Sequence, residues 1–134
     1  MQYDISKYSD VLELDKVLSL LSNEASLVES REELLKIKPS SNINKVKAML
    51  KETNAAFSLI AHFSAPSFMN TPDVSTALTR ADIGAVLSIK ELLSISEVLR
   101  VIRTVKAWRE NCDSKTETEI DYLFSALNPN KFLE

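Results

Sequence analysis

The residues able to do chemistry are few. The chain of 134 residues holds one histidine, His62, and one cysteine, Cys112. An imidazole beside a thiol is the makings of a base and nucleophile pair. Here the two fall in different segments, and no supporting signature surrounds either. A surface or core histidine and a small buried thiol are the simpler reading. A structural zinc site takes about four Cys or His ligands, which one of each cannot supply. A phosphate-cradling loop needs glycines so that backbone amides can approach the ligand, and Gly84 is the only glycine. No Asp-rich loop of the calcium-binding type occurs. The carboxylate pairs Glu32 with Glu33 and Glu117 with Glu119 suit the positive ends of helices. A catalytic role would require burial and a raised pKa. No catalytic, cofactor-binding or metal-binding residue is therefore expected.

The best charged feature is Arg100, Arg103, Lys106 and Arg109. Steps of three residues walk slowly around a helix, so these four form a slanting basic stripe with Trp108 near its end. Such a stripe suits phosphates of nucleic acid or an acidic partner helix. The simpler reading is a solvated face whose positive charge lies near a helix C-terminus. The loop aromatics Phe63 and Phe68, with Met69, read either as a partner-binding patch or as a lid on the helices.

Residues of these kinds must be carried by helices. Hydrophobic residues make up 45% and charged residues 26% of the chain, an ordinary globular balance. One glycine and four prolines leave too few turn residues for a sheet-rich fold. The net charge of −3 gives no general pull toward nucleic acid. A lone cysteine suits a reducing compartment, and "MQYDISKYSD" lacks the apolar core of a secretory signal. No apolar run approaches the ~20 residues that span a bilayer. A cytoplasmic, all-α protein of five to six helices with short loops is expected, with residues 1–134 forming a single domain.

The helices can be placed. Leu14, Val17, Leu18, Leu21 and Ala25 share one face of a first helix, capped by Ser9 or Asp10. Ser26 and Glu29 have the form of a capping box for a second, with Leu27, Val28, Leu34 and Leu35 inward and an end before Pro39. Asn42 or Ser41 caps a third, whose stripe is Val46, Met49, Leu50, Thr53, Phe57 and Ile60. The segment "HFSAPSFMNTP" reads as a loop. Asp73 caps a short fourth helix with Val74, Ala77, Leu78 and Ala81 inward. Gly84 then ends it at positive φ. Ser88 and Glu91 form a capping box for the longest helix, with Leu92, Ile95, Leu99, Ile102 and Val105 on one face. A sixth starts at Ser114 with Glu117 or at Thr116 with Glu119, and turns Ile120, Leu123, Phe124 and Leu127 inward. The closing Leu133-Glu134 has the form of a vector-derived dipeptide as readily as of native sequence.

Three stretches in order, "VLELDKVLSLLSNEAS", "IKPSSNINKVKAMLKET" and "VSTALTRADIGAVLSIKELLSISEVLRVIR", resemble the N-terminal region of the bacterial MutS type-two family. That family is the branch of MutS ATPases lacking the mismatch-reading domain. The resemblance covers about residues 8 to 110. It departs from the family where a glycine-rich connector usually precedes the short helix; "HFSAPSFMNTPDV" has no glycine. The resemblance implies a non-catalytic N-terminal fragment of a longer protein, part of a core or lever region. The implied parent is a homodimeric ATPase using ATP and Mg, with a C-terminal endonuclease domain. It implies partners in the parent's other domains, in branched DNA whose recombination is suppressed, and in collided ribosomes. No membrane partner is implied. Two other readings stand beside it: a free-standing helical adaptor for a protein partner, and a small helical enzyme using carboxylates.

Overall fold

The computed structural model describes residues 11–68, 71–112 and 117–134. Among them are six α-helices and no strand: α1 (Leu14–Glu24), α2 (Val28–Leu35), α3 (Ile43–Phe63), α4 (Ser75–Asp82), α5 (Ile89–Asn111) and α6 (Asp121–Ser125). The all-α architecture expected from glycine scarcity and helical spacing is the one found. Contacts group the chain into two compact units, Met1–Lys51 and Glu52–Glu134.

In the first unit α1 packs against α2. The expected caps Ser9 and Asp10 lie outside the described residues, and the N-cap of α1 is Glu13, in the left-handed region at φ 54°. Its carboxylate accepts a hydrogen bond from Lys16 Nζ at 2.7 Å. Leu18 and Ser22 are the buried residues of α1, and the Ser22 hydroxyl donates to the Ser19 carbonyl. Helix α2 starts later than Ser26 would place it. Leu27 is its N-cap and provides no side-chain cap. The link is closed from the other side, where Arg31 Nε donates to the Ala25 carbonyl at 2.7 Å. Leu27 and Leu34 are half-buried, whereas Val28 and Leu35 face solvent. The start of α3 follows the expected chemistry: Asn42 Oδ1 accepts from the amides of Asn44 and Lys45.

The second unit is built around Ala55, Leu59 and Ile120, with Ala56, Trp108 and Phe124 packed on them. Trp108 and Phe124 lie tilted, with ring centroids 6.0 Å apart. The α3 face that is buried is thus the Ala55, Ala56, Leu59 face. Phe57 and Ile60, expected inward, are largely exposed. The small alanines allow close approach of neighbouring side chains, so packing selects that face over the bulkier stripe. Pro66 and Phe68 line a wholly apolar cleft of about 160 Å³ with Ala56, Leu59, Ile60, Trp108, Ile120 and Phe124. Of the aromatics expected in this loop, Phe68 lines the cleft yet stays 40% exposed, Phe63 ends α3 and is also 40% exposed, and Met69 lies outside the described residues.

Around Gly84 the sequence reading holds in detail. Gly84 has φ +77°, and its amide bonds the Ala81 carbonyl at 2.9 Å while Ala85 N bonds Arg80 O. These bonds satisfy carbonyls left open at the end of α4. Four residues on, Ser88 Oγ accepts from Glu91 N, and Glu91 Oε2 accepts from Ser88 N at 2.7 Å. Arg80 reaches across the turn to Glu91 Oε1 and to the Val86 carbonyl. The hydrogen bond from the Ser88 backbone holds the Glu91 carboxyl below its ordinary pKa. Asp73 Oδ1 accepts from Ser75 N at 2.8 Å, although Val74 occupies the N-cap position of α4. Of the residues expected inward on α4, Ala77 is buried, while Leu78 and Ala81 face solvent.

Candidate nucleic-acid or partner interface

The basic stripe lies on α5, the longest described helix at 23 residues. From Ser94 to Arg109 nearly every α5 residue is at least half-buried, and α6 packs against this helix. All four cations engage acceptors of their own chain. Arg109 donates through Nε and Nη2 to the two oxygens of Asp121, at 2.7 and 3.0 Å. Lys106 Nζ donates to the Leu127 carbonyl at 2.9 Å. Arg103 donates through Nε and Nη2 to the two oxygens of Glu134, at 2.7 and 2.6 Å. Arg100 sits 3.2 Å from Glu97 and 3.7 Å from Glu134.

The acceptors lie in chain order opposite to the cations. Asp121 meets Arg109, Leu127 meets Lys106, and Glu134 meets Arg103. Residues 121–134 therefore run antiparallel along α5 as a polar seam. Ser96 adds to it, its hydroxyl donating to the Glu134 main-chain oxygen at 2.7 Å. Sequence reasoning found the cations and missed Ser96, Asp121 and Glu134. The spacing of Ser96, Arg100 and Arg103, at four and then three residues, places them on one helical face. Their acceptors are distant in sequence, and no local pattern marks them.

The electrostatics follow from this pairing. The forked bond to Arg109 lowers the Asp121 carboxyl to a pKa of about 2, and amide and hydroxyl bonds from Thr118 act in the same direction. The same fork raises Arg109. Arg103 likewise lowers Glu134 and is raised by it. Thr118 and Asp121 together close the start of α6; Ser114 and Thr116, the expected caps, lie outside the described residues. An open cleft of about 430 Å³ beside the Arg109–Asp121 pair is lined by Lys106, Arg109, Glu110, Asp121, Phe124 and Ser125. Its two bases face two acids, so it carries no surplus charge for an anion.

The other candidates stay apart from the stripe. His62 is exposed near the end of α3, with Nδ1 2.7 Å from the Ser58 carbonyl. Cys112 is buried, its thiol donating to the Trp108 carbonyl at 3.2 Å. Among the described residues no group of three His, Cys, Asp or Glu side chains is placed to hold a metal ion. No described helix is long and apolar enough to cross a membrane.

No protein-family model matches the chain, and no solved structure matches it. Curated proteins do. Endonuclease MutS2 of Acetivibrio thermocellus is 32% identical over 126 residues, covering 92% of this chain and 16% of that protein. Endonuclease MutS2 of Ruminiclostridium cellulolyticum is 34% identical over 125 residues, again 92% of this chain and 16% of that protein. Endonuclease MutS2 of Halothermothrix orenii is 25% identical over 118 residues, or 88% and 15%. The chain thus spans about one sixth of the length of these relatives. Along most of its own length, this all-α chain is MutS2-related.

Proposed function

We propose that the chain is a non-catalytic helical module from the N-terminal part of a MutS2-type ATPase, acting as one mechanical element of a larger machine. The observation that carries this reading is the distribution of apolar surface. No large side chain is fully buried among the described residues. Meanwhile Ile83, Val86, Ile89 and Leu93 are each at least 66% exposed around the Gly84 turn. Monomeric soluble proteins rarely leave large contiguous apolar patches uncovered. Such faces suit burial against further polypeptide, and the relatives are about six times longer than the matched segment.

In this reading ATP and Mg bind elsewhere in the parent, and a C-terminal domain cuts DNA. Closure of a dimeric clamp is passed through packed helices as a rigid-body shift. The parent's targets are branched DNA, where it suppresses homologous recombination, and collided ribosomes. Arg100, Arg103, Lys106 and Arg109 are the residues of this module that would meet nucleic acid or a partner.

The test is enzymatic. The purified chain, supplied with Mg and ATP or with branched DNA, should show neither hydrolysis nor cleavage. A chimera of the Acetivibrio thermocellus protein carrying this chain in place of its matched segment should keep whatever activity its parent has. Turnover that follows the isolated chain through purification, or a folded but inactive chimera, would refute the module. A free-standing adaptor is the second reading, favoured by the same exposed apolar residues; it predicts a folded chimera without function.

A further inference from the structure

The face of α3 left in solvent has a regular chemistry of its own. Ile43, Val46, Leu50, Thr53, Phe57 and Ile60 follow one another in alternating steps of three and four residues. That is the a and d spacing of a heptad repeat, which keeps one stripe in line along a helix. Helix α3 runs unbroken from Ile43 to Phe63, so all of these positions lie on it. The stripe is open: Ile43 is 61%, Leu50 62% and Phe57 70% exposed. The buried residues of the same helix, Ala55 and Leu59, fall on its other side. Its charges are of one sign. Lys45, Lys47 and Lys51 stand along the first half of α3, where no acid precedes Glu52. Glu52 itself accepts a hydrogen bond from the Tyr122 hydroxyl. Among the described residues no carboxylate pairs with these three ammonium groups. Lys47 directly follows Val46 in the e position beside the stripe, and Lys51 follows Leu50 on the same side.

We propose that this stripe of α3 is the docking surface for one amphipathic helix with acidic flanks, supplied by the part of the parent protein outside the matched segment. The proposal rests on the reading of the chain as one module of a longer protein, and it names the kind of partner that covers the module. A heptad stripe packs against a second helix whose own apolar side chains enter its gaps. Charges beside the stripe then select the partner, and lysines select glutamate or aspartate. Each ammonium gains an acceptor that it lacks in this chain. A second copy fits worse, since laying α3 beside itself in parallel brings like charge to like. The matched segment is 16% of the relatives' length, so most of such a parent lies outside it and can supply the helix.

Two measurements test this. In the first, the 134-residue chain is titrated into labelled synthetic heptad peptides followed by fluorescence anisotropy. The peptides carry leucine at a and d, with glutamate at e and g in one and lysine in the other. The glutamate peptide should bind and the lysine peptide should not. Leu50→Gln should weaken binding about tenfold or more, the scale of withdrawing one apolar side chain. Lys47→Glu combined with Lys51→Glu should reverse the preference. Circular dichroism verifies helix content, which changes at these exposed positions should leave as it is. In the second, the Acetivibrio thermocellus chimera is treated with a carbodiimide, which joins a lysine amine to a carboxylate in contact with it. Lys45, Lys47 or Lys51 should be joined to acids outside the matched segment. A mixture of isotope-labelled and unlabelled chimera separates links within a chain from links between copies. Binding of neither peptide, equal binding of both, or binding that Leu50→Gln leaves untouched would overturn the surface. Duplex DNA bound in place of the peptide, and lost in the double lysine variant, would make this a phosphate-contacting face and overturn the helix partner. Links confined to the matched segment of a second copy would overturn the parent helix as occupant. An active chimera without any link would overturn the docking surface and leave the module reading standing. A folded but inactive chimera that still forms the links would refute the module and keep the surface.

Discussion

At Gly84 the backbone, and not the space around it, decides which side chain is tolerated. A Cβ added there would meet nothing within 4 Å, yet φ is +77°. Gly84→Val should therefore destabilise the fold by about 1–2 kcal/mol through conformational strain alone. Gly84→Asn should cost less, since asparagine enters this region more readily. Urea unfolding of both variants tests the order; equal stability of valine and glycine would contradict it. Ser88 makes a different case. Its hydroxyl caps α5 and its amide binds Glu91, so Ser88→Ala should cost about 1 kcal/mol in the same measurement. Asp121 supplies a pH signature. Its folded pKa of about 2 lies below the ordinary 3.8. Its pairing with Arg109 thus supports the fold above about pH 3.8, and that support disappears as pH falls toward 2. Asp121→Asn should lose on the order of 1 kcal/mol at neutral pH and flatten the acid limb of the stability curve. An unchanged acid limb would show that the pair contributes nothing.

Among the elements, what could be read in advance was whatever local chemistry dictates. Asn42, Gly84 and the Ser88–Glu91 box mark helix ends because backbone donors and acceptors there must find partners within a few residues. Inward faces were harder. In α3 the buried face is Ala55, Ala56 and Leu59, whereas spacing pointed to Phe57 and Ile60. Period alone cannot tell which of two adjacent apolar faces finds a neighbour. The small side chains win here because Trp108 and Phe124 come close to them. The same limit applies to the stripe on α5. Its cations were visible as a pattern, but their acceptors at 121, 127 and 134 depend on the course of a distant segment. The seam makes a prediction at this scale. Arg109→Ala should loosen α6 and quicken amide exchange over residues 121–125, while Arg103→Ala should leave that helix unaffected. Equal effects of the two variants would contradict this division of the seam.

For the whole molecule the governing feature is apolar surface left in the open. Val17 and Leu20 on α1, Met49 and Leu50 on α3, and Leu92 and Leu93 on α5 are all exposed. Burying one such side chain releases roughly 1.5–3 kcal/mol, so covering a few of them would add substantially to a marginal fold. Composition did not show this, because 45% hydrophobic content is the same whether those residues are inside or out. The central claim is that these faces exist to be covered by the rest of a MutS2-type protein. Hydrogen–deuterium exchange over residues 83–93, compared between the isolated chain and the Acetivibrio thermocellus chimera, tests it most directly. Slower exchange in the chimera by about tenfold or more, the equivalent of 1.4 kcal/mol of added local stability, is the predicted result. Identical exchange in the two settings would mean that nothing covers this surface, and would contradict the account.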